Sequence, residues 1–420
     1  MVALRLKTSG AARPDFLSFP WSTPLEMWPD EMAVRLPRGR HRHVVRFIEH
    51  EGTYFAFKEL RSELAHREFE ILEYLKDEDL PVVDLVGVAD GRVAEDGTPM
   101  DAILITQHLR YSLPYLHLFA APGNDGLHES LIDALAVLLC RLHLVGLFWG
   151  DCSLGNALFL RDAGALVAYI VDTETGDLQD ELTKGQREHD LQIAVENIAG
   201  GLFELQVLDK LSKDVDPIDV VESLERRYHD LWNELTRTDE LNGDELFLIA
   251  ERLERLNDLG FDTSEMEIHQ DNEGRRLVRF RPVVVEEGHH RRELERATGI
   301  VAEENQARKL LRALRGYGAW LASEPGNEKG QVPEAVVAYR WLTERYRPTV
   351  DAIPPDLKGR LSEPEFYVQV MEHLWYLSES AGQDYGLVNA TNDYIENVLA
   401  RLPEERAVLS ADESGFRETT

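Results

Sequence analysis

A helix-length apolar pattern over residues 128–148 breaks off abruptly into Trp149-Gly150-Asp151-Cys152-Ser153-Leu154-Gly155-Asn156. No other feature of the chain constrains its fold more. Gly150 and Gly155, with Asp and Ser between them, stop a helix and force a turn. Two short β-like runs follow, 157–160 and 165–171, around the turn Asp162-Ala163-Gly164, and they deliver the chain to Asp172-Thr173-Glu174. Helix, polar loop and tight hairpin in succession point to an α+β chain. Polar residues flanking rigid elements are also where chemistry usually sits.

The flanking sequence extends this pattern. Residues 1–32 are rich in Pro and aromatic residues without a period, and are expected to form an ordered but irregular arm. Two β-like runs between Ala33 and Leu60 meet at Glu51-Gly52, an expected hairpin whose second run carries Lys58. The run 61–80 has helical spacing, with Leu64, Phe69, Leu72 and Leu75 recurring until Pro81 stops it. Two further strands are expected at 82–90 and 102–109, and a helix over 186–208.

After about residue 215 the character changes. Charged amphipathic helices are expected at 220–236 and 245–259, then a β-hairpin over 264–285 turning at Asp271-Asn272-Glu273-Gly274. Helices at 303–321, 333–346, 364–380 and 387–402 complete the pattern, with Leu310, Leu311, Leu314 and Leu321 forming one buried stripe. The expected division is an arm (1–32), a first domain (33–215), a mostly helical second domain (216–404) and a disordered tail (405–420).

Composition narrows the function. The 45 basic residues face 77 acidic ones, a formal charge of −32, which argues against a broad nucleic-acid or anionic-membrane surface. No run is apolar enough to span a membrane, and the first residues lack the apolar core of a signal peptide. Two cysteines, Cys140 and Cys152, exclude a disulfide framework and a Cys-rich zinc site, so a cytoplasmic location is expected.

Three pieces of the first half fit phosphoryl transfer. Lysine is scarce, nine of the 45 basic residues, yet Lys58 ends an aromatic and apolar strand. Glu68 on the next helix, with Glu70 as a second choice, is placed to pair with it. Asp151 can accept the proton of an attacking hydroxyl, Asn156 can coordinate a divalent cation without adding charge, and Asp172 can bridge metal and phosphate. Arg38, Arg40 and Arg42 alternate, so on a strand they share a face. They read equally as a phosphate clamp or as a solvated edge. The Lys58–Glu68 pair also reads as an ordinary surface ion pair.

At this point HLVGLFWGDCSLGNALF followed by YIVDTE resembles the H-x-x-G-x-x-H-x-D-x-x-x-x-N … I-D motif of the protein-kinase-like superfamily. The nearest branch is the lipopolysaccharide (Kdo) and aminoglycoside-type small kinases. The whole chain resembles a bacterial family joining such a half to a C-terminal domain of unknown function. The resemblance implies a bilobal protein-kinase-like domain, over roughly 33–210, followed by a mostly helical domain with an embedded β-hairpin. It implies ATP and Mg²⁺ as cofactors and a hydroxyl of a sugar or other small molecule as acceptor. A nucleotide-binding pseudokinase with a regulatory or scaffold role is the alternative.

Residue by residue, the resemblance makes Lys58 the phosphate-binding lysine, Glu68 its partner and Asp151 the base. Asn156 and Asp172 become metal ligands and Asp190 the brace of the catalytic loop, while Glu174, at a position where the family has glycine, is read from its own carboxylate as a further metal ligand. The adenine is expected against the backbone around Gln107–Leu109. Three departures stand out: a single Gly39 where several glycines are usual, Trp149 where a histidine is expected, and Asp172-Thr173-Glu174 in place of Asp-Phe-Gly.

Cys152, beside the expected base, lacks a histidine in the motif to activate it and reads as inert. His289-His290-Arg291-Arg292 reads as structural or solvated. Trp341, Trp375 and Tyr376 read as core. The second half carries no catalytic constellation, so a role in partner binding or substrate presentation is expected of it.

Overall fold

The structure is a computed structural model describing residues 4–8, 16, 18–34, 43–113, 115, 119, 127–213, 215–236, 238–241, 261–270, 276–284, 289–323 and 332–402. Arg38, Arg40, Arg42, the helix expected at 245–259, the turn at 271–274 and the tail lie outside the described residues. The chain is α+β, with a sheet-bearing N-terminal region and a helical C-terminal one. It divides into two compact units: Met1–Phe159 with Val167–Val285, and Leu160–Leu166 with Glu286–Val408.

The first unit opens with β1 (Arg5–Thr8), β2 (Ala33–Val34), β3 (Val44–His50), β4 (Thr53–Leu60), α1 (Ser62–Asp77), β5 (Leu85–Asp90) and β6 (Ala102–Gln107). The strands form one six-stranded sheet in the order β1-β5-β6-β4-β3-β2. The expected β3–β4 hairpin is present. Glu51 (φ 51) and Gly52 (φ 78) both take the left-handed conformation that two-residue hairpin turns require.

Of the two edge strands β1 is new, while β2 is the start of the run expected from Ala33. β1 pairs with β5, and at Gly87 an added Cβ would sit 2.3 Å from the Lys7 carbonyl, so glycine permits the approach. The arm adds two short 3-10 turns and packs Phe16, Phe19, Trp21 and Trp28 against Phe55 and Phe57 on one face of the sheet. α1 buries Ala65, Glu68, Phe69, Ile71, Leu72 and Leu75 as its spacing predicts.

Next come α2 (Leu127–Leu144), β7 (Leu147–Phe148), the hairpin strands β8 (Ala157–Asp162) and β9 (Ala165–Ile170), β10 (Asp177–Leu178), α3 (Lys184–Val207) and α4 (Pro217–Thr236). α3 starts in a capping box: Thr183 accepts from the Gln186 amide, and the Gln186 side chain accepts from the Thr183 N–H. α4 carries Tyr228, which reaches His143 of α2. The expected hairpin of the second half is β12 (Phe261–Gln270) with β13 (Arg276–Val284). β11 (Thr238–Leu241) pairs on the far side of β13 as a third, unforeseen strand.

The second unit contains α5 (His289–Thr298), α6 (Glu304–Ser323), α7 (Glu334–Trp341), α8 (Glu363–Ala381) and α9 (Leu387–Asn397). Leu310, Leu311, Leu314 and Leu321 are all buried, as the stripe requires. Asp162 accepts the Asn305 and Gln306 amides at the start of α6, while Glu365 accepts from Ala163 N and the Gln306 side chain. His290 lies 2.6 Å from Glu304, and Arg291 pairs with Glu303, so this basic run is absorbed in ion pairs. One reading is corrected. Trp341 is core, but Trp375 and Tyr376 are 66% and 61% exposed, because α8 buries its first turns and leaves its last ones in solvent.

Gly146 ties this fold to the loop that follows. Its φ is +83, and an added Cβ would lie 1.9 Å from the Gln179 carbonyl. Gly146→Ala should therefore cost about 2 kcal/mol or more in urea unfolding, from left-handed strain plus a backbone clash. Gly164→Ala, with φ +92 but nothing within 4 Å of the added Cβ, should cost less. Equal costs would remove the steric argument.

Candidate active site

The loop after α2 is organised from below by one carboxylate. Asp190 on α3 is wholly buried; its Oδ2 accepts the Trp149 N–H at 2.7 Å and its Oδ1 the Gly150 N–H at 2.8 Å. His143 Nε2 approaches the same Oδ2 at 3.0 Å, and its Nδ1 lies 2.6 Å from the Tyr228 hydroxyl. With Nε2 donating to the carboxylate, Nδ1 accepts from that hydroxyl. Two consecutive backbone N–H groups on one fixed carboxylate set the direction in which the next residue, Asp151, leaves.

Asp151 is held from two sides. Asn156 Nδ2 donates to its Oδ2 at 3.2 Å and to its backbone carbonyl at 2.9 Å; Asn197 Nδ2 donates to its Oδ1 at 3.1 Å and to the Cys152 carbonyl at 3.2 Å. With the Asn156 amide nitrogen spent on Asp151, its carboxamide oxygen is the atom available to a cation. Asn156 O accepts from Val171 N, which brings it beside the strand end carrying Asp172. Cys152 is buried, and burial, reinforced by the charges of Asp190 and Asp151, pushes its thiol far up, so it is inert.

The second cluster centres on Lys58. Its ammonium donates to Glu68 at 3.0 Å and to Asp172 at 2.9 Å, and lies 3.2 Å from Glu174. Glu68 is buried and Glu70 exposed, so the pairing falls to Glu68. Glu174 also lies 2.9 Å from His43 Nε2, while its N–H donates to Asp172 Oδ1.

Three carboxylates share one cation, and the titrations of Lys58, Glu68 and Glu174 are shifted there. Burial pulls Lys58 down, but the charges of Glu68 and Asp172 outweigh it and raise the ammonium above its usual value. Burial, then the Asp172 charge, pushes Glu68 up to about 7 against the pull of Lys58. Burial raises Glu174 too, yet its bond to His43 and the Lys58 charge bring it below the usual range. Among the described residues no three His, Cys, Asp or Glu side chains converge as a ready-made metal site.

Several participants escape a motif-based reading. Trp149 is fully buried, and its indole Nε1 donates to the Asp172 carbonyl at 2.8 Å, while Thr175 donates to the Trp149 carbonyl. His143 opens the motif, but Asn197 and Tyr228 were not expected at the site. Their signal is faint, since only three-dimensional contact joins residues so far apart in sequence. At the edge of β6, the Gln107 and His108 N–H groups are used by Asp84 and Tyr54, but the Leu109 backbone bonds to no described residue.

The raised Glu68 gives a pH test. Between the ordinary glutamate range and about 7, the folded protein keeps the Glu68 proton and the unfolded chain does not. The stability this contributes is present at low pH and lost as pH rises through about 7. Wild type should therefore lose stability relative to Glu68→Gln between about pH 5 and about pH 8 in urea titrations. Parallel curves would show that Glu68 does not titrate in this window.

Comparison with known proteins agrees with the motif. Residues 39–197 match the model of the lipopolysaccharide kinase (Kdo/WaaP) family, and residues 230–399 match a domain of unknown function, DUF4032. No curated protein matches the chain. A solved structure described as "WaaP in complex with acyl carrier protein" is 18% identical with a TM-score of 0.35, covering 61% of this chain and 99% of that one. The resemblance carried by 143–156 and 169–174 is thus borne out: the chain is similar to the lipopolysaccharide kinase (Kdo/WaaP) family in its first half and to DUF4032 in its second.

Proposed function

We propose that the first unit binds ATP with Mg²⁺ and transfers the γ-phosphoryl group to a hydroxyl of a sugar or other small molecule. The observation that carries this reading is the Lys58 cluster, in which one ammonium lies within 3.2 Å of three carboxylates. A site with that surplus of negative charge and hard oxygen donors suits a divalent cation. Asp172 and the Asn156 carboxamide would hold Mg²⁺, with phosphate oxygens and water completing the set, as this ion prefers. Glu174, whose carboxylate is engaged by Lys58 and His43, is a further oxygen donor beside them. Bound there, Mg²⁺ supplies neutralisation of the phosphate charge.

The chain's own residues do the rest. Lys58 holds the proximal phosphates, and Glu68 keeps it in place. The Asp151 carboxylate takes the proton of the acceptor hydroxyl as that oxygen bonds to the γ-phosphorus and the bond to the bridging oxygen of ADP breaks. A sugar-type acceptor is supported by the family match and by the lack of an Ala-Pro-Glu-type ending after Asp172.

The DUF4032 segment is read as a partner-binding or substrate-presenting part. We draw the boundary of the kinase-like part after α4 rather than at 215, because Tyr228 supports His143. Among the described residues no helix is long and apolar enough to cross a membrane. The buried, unpaired Cys140 and Cys152 suit a reducing cytoplasm.

Calorimetric titration with ATP and Mg²⁺ should show binding. Asp151→Asn should lower turnover about a hundredfold or more while leaving ATP affinity nearly unchanged. Equal turnover in mutant and wild type would take the base role from Asp151. Binding without turnover in either protein would favour the pseudokinase reading, and no binding of millimolar ATP by folded protein would overturn both.

A further inference from the structure

The sheet of the first unit presents two unlike faces. One is covered by the aromatic arm. The other is fixed by the pairing register: Lys58 stands opposite Val45 and Leu104, and Ala56 opposite Phe47 and Thr106. Side chains two apart share a face, so His108 falls on the side of Thr106, Leu104 and Lys58. Ring contacts agree with that parity. The His108 ring lies 5.7 Å from Phe47 and 6.5 Å from Tyr54, edge-on to both.

His108 is 9% exposed, and its Nε2 is buried without a hydrogen-bond partner among the described residues. Native structures rarely keep such an atom, because an unmet buried polar group costs stability. Burial also pushes the imidazole down to about 4, so the ring is neutral at physiological pH and offers either a donor or an acceptor edge. Four residues separate His108 from Leu104, which pairs with Lys58; at about 3.4 Å per residue that is roughly 14 Å along the strand. A nucleotide with its phosphates at Lys58 would bring its base to this distance. Half-buried Phe47 and Tyr54, with the Leu109 backbone next in sequence and unbonded among the described residues, supply apolar walls and further polar edges there.

We propose that His108 reads the base of the bound nucleotide, its Nε2 hydrogen-bonding the heteroaromatic ring of a ligand whose phosphates lie at Lys58. This inference rests on the nucleotide-binding reading above, and its test separates the two. Full-length wild type, His108→Leu and His108→Gln are titrated with ATP and with inorganic tripolyphosphate, each with Mg²⁺, and their unfolding temperatures are measured without ligand.

The leucine variant should bind ATP about tenfold more weakly, the loss of one buried hydrogen bond, and tripolyphosphate unchanged. It should also unfold at a higher temperature than wild type without ligand, since the unmet nitrogen is gone. The glutamine variant, which keeps a polar edge, should retain most of the ATP affinity. In ¹⁵N-histidine-labelled wild type, the His108 Nε2 resonance should move with ATP and stay put with tripolyphosphate, a result that needs no variant to fold. If wild type binds ATP and the leucine variant binds it equally, or loses both ligands together, His108 does not read the base. If wild type binds no ATP, the nucleotide reading fails and takes this inference with it.

Discussion

A carboxylate with no exposed surface has to be surrounded by donors, and Asp190 is the group around which the candidate site is built. Its three donors are the N–H groups of Trp149 and Gly150 and the ring of His143. Two of them are consecutive backbone atoms, so satisfying the charge dictates the loop conformation, helped by Gly150 at φ +76. Removing one donor would leave a buried charge short of partners, a cost of about 3–5 kcal/mol. The loop is therefore rigid for the same reason that the core is stable. Tyr228 extends this logic one step outward, since a His143 ring free to turn would not present Nε2 to Asp190.

The Lys58 cluster obeys the opposite principle. It is over-supplied with negative charge, and the strain appears as a Glu68 that keeps its proton to about pH 7 and a Glu174 that needs both Lys58 and His43. Asp190 is closed and complete; the Lys58 cluster is open and unbalanced. A finished ion pair would have nothing left to offer a ligand. An ammonium shared among three carboxylates, two of them partly exposed, can give part of itself to a phosphate while a cation takes up the freed carboxylates.

What could be read from the residues follows from how local their interactions are. The β3–β4 hairpin, α1 and the β8–β9 hairpin are set by turn residues and apolar spacing within a few positions, and each appears where those signals fall. Lys58 and Glu68 are ten residues apart, and Asp151 and Asn156 five, so element order alone suggested the pairs. β1 was illegible, because an edge strand four residues long declares itself only through the partner that accepts it, here β5 and its Gly87. Asn197 and Tyr228 were missed for a related reason. Asn looks ordinary in a helix, and a tyrosine at helical spacing looks like core until its hydroxyl is seen on His143. Trp375 and Tyr376 show the converse error, since helical spacing of aromatics predicts a face but not what covers it.

Trp149 shows how a departure from a pattern can preserve what the pattern was for. The indole takes the place where the resemblance expects a histidine, and its single N–H bonds the Asp172 carbonyl while the ring fills a site with no exposure. Indole has one donor, no acceptor and no titration near neutrality, so the tie it makes to the Asp172 strand end is independent of pH. The Trp149 N–H meanwhile binds Asp190, so one residue joins the rigid base of the loop to the open charge cluster above it. The substitution therefore does not weigh against turnover. On the proposed reading, the difference between a kinase and a silent nucleotide binder would lie instead with Asp151, whose two oxygens both accept amide hydrogens. Those bonds orient the carboxylate without transferring a proton to it, which is what the proposed base role requires.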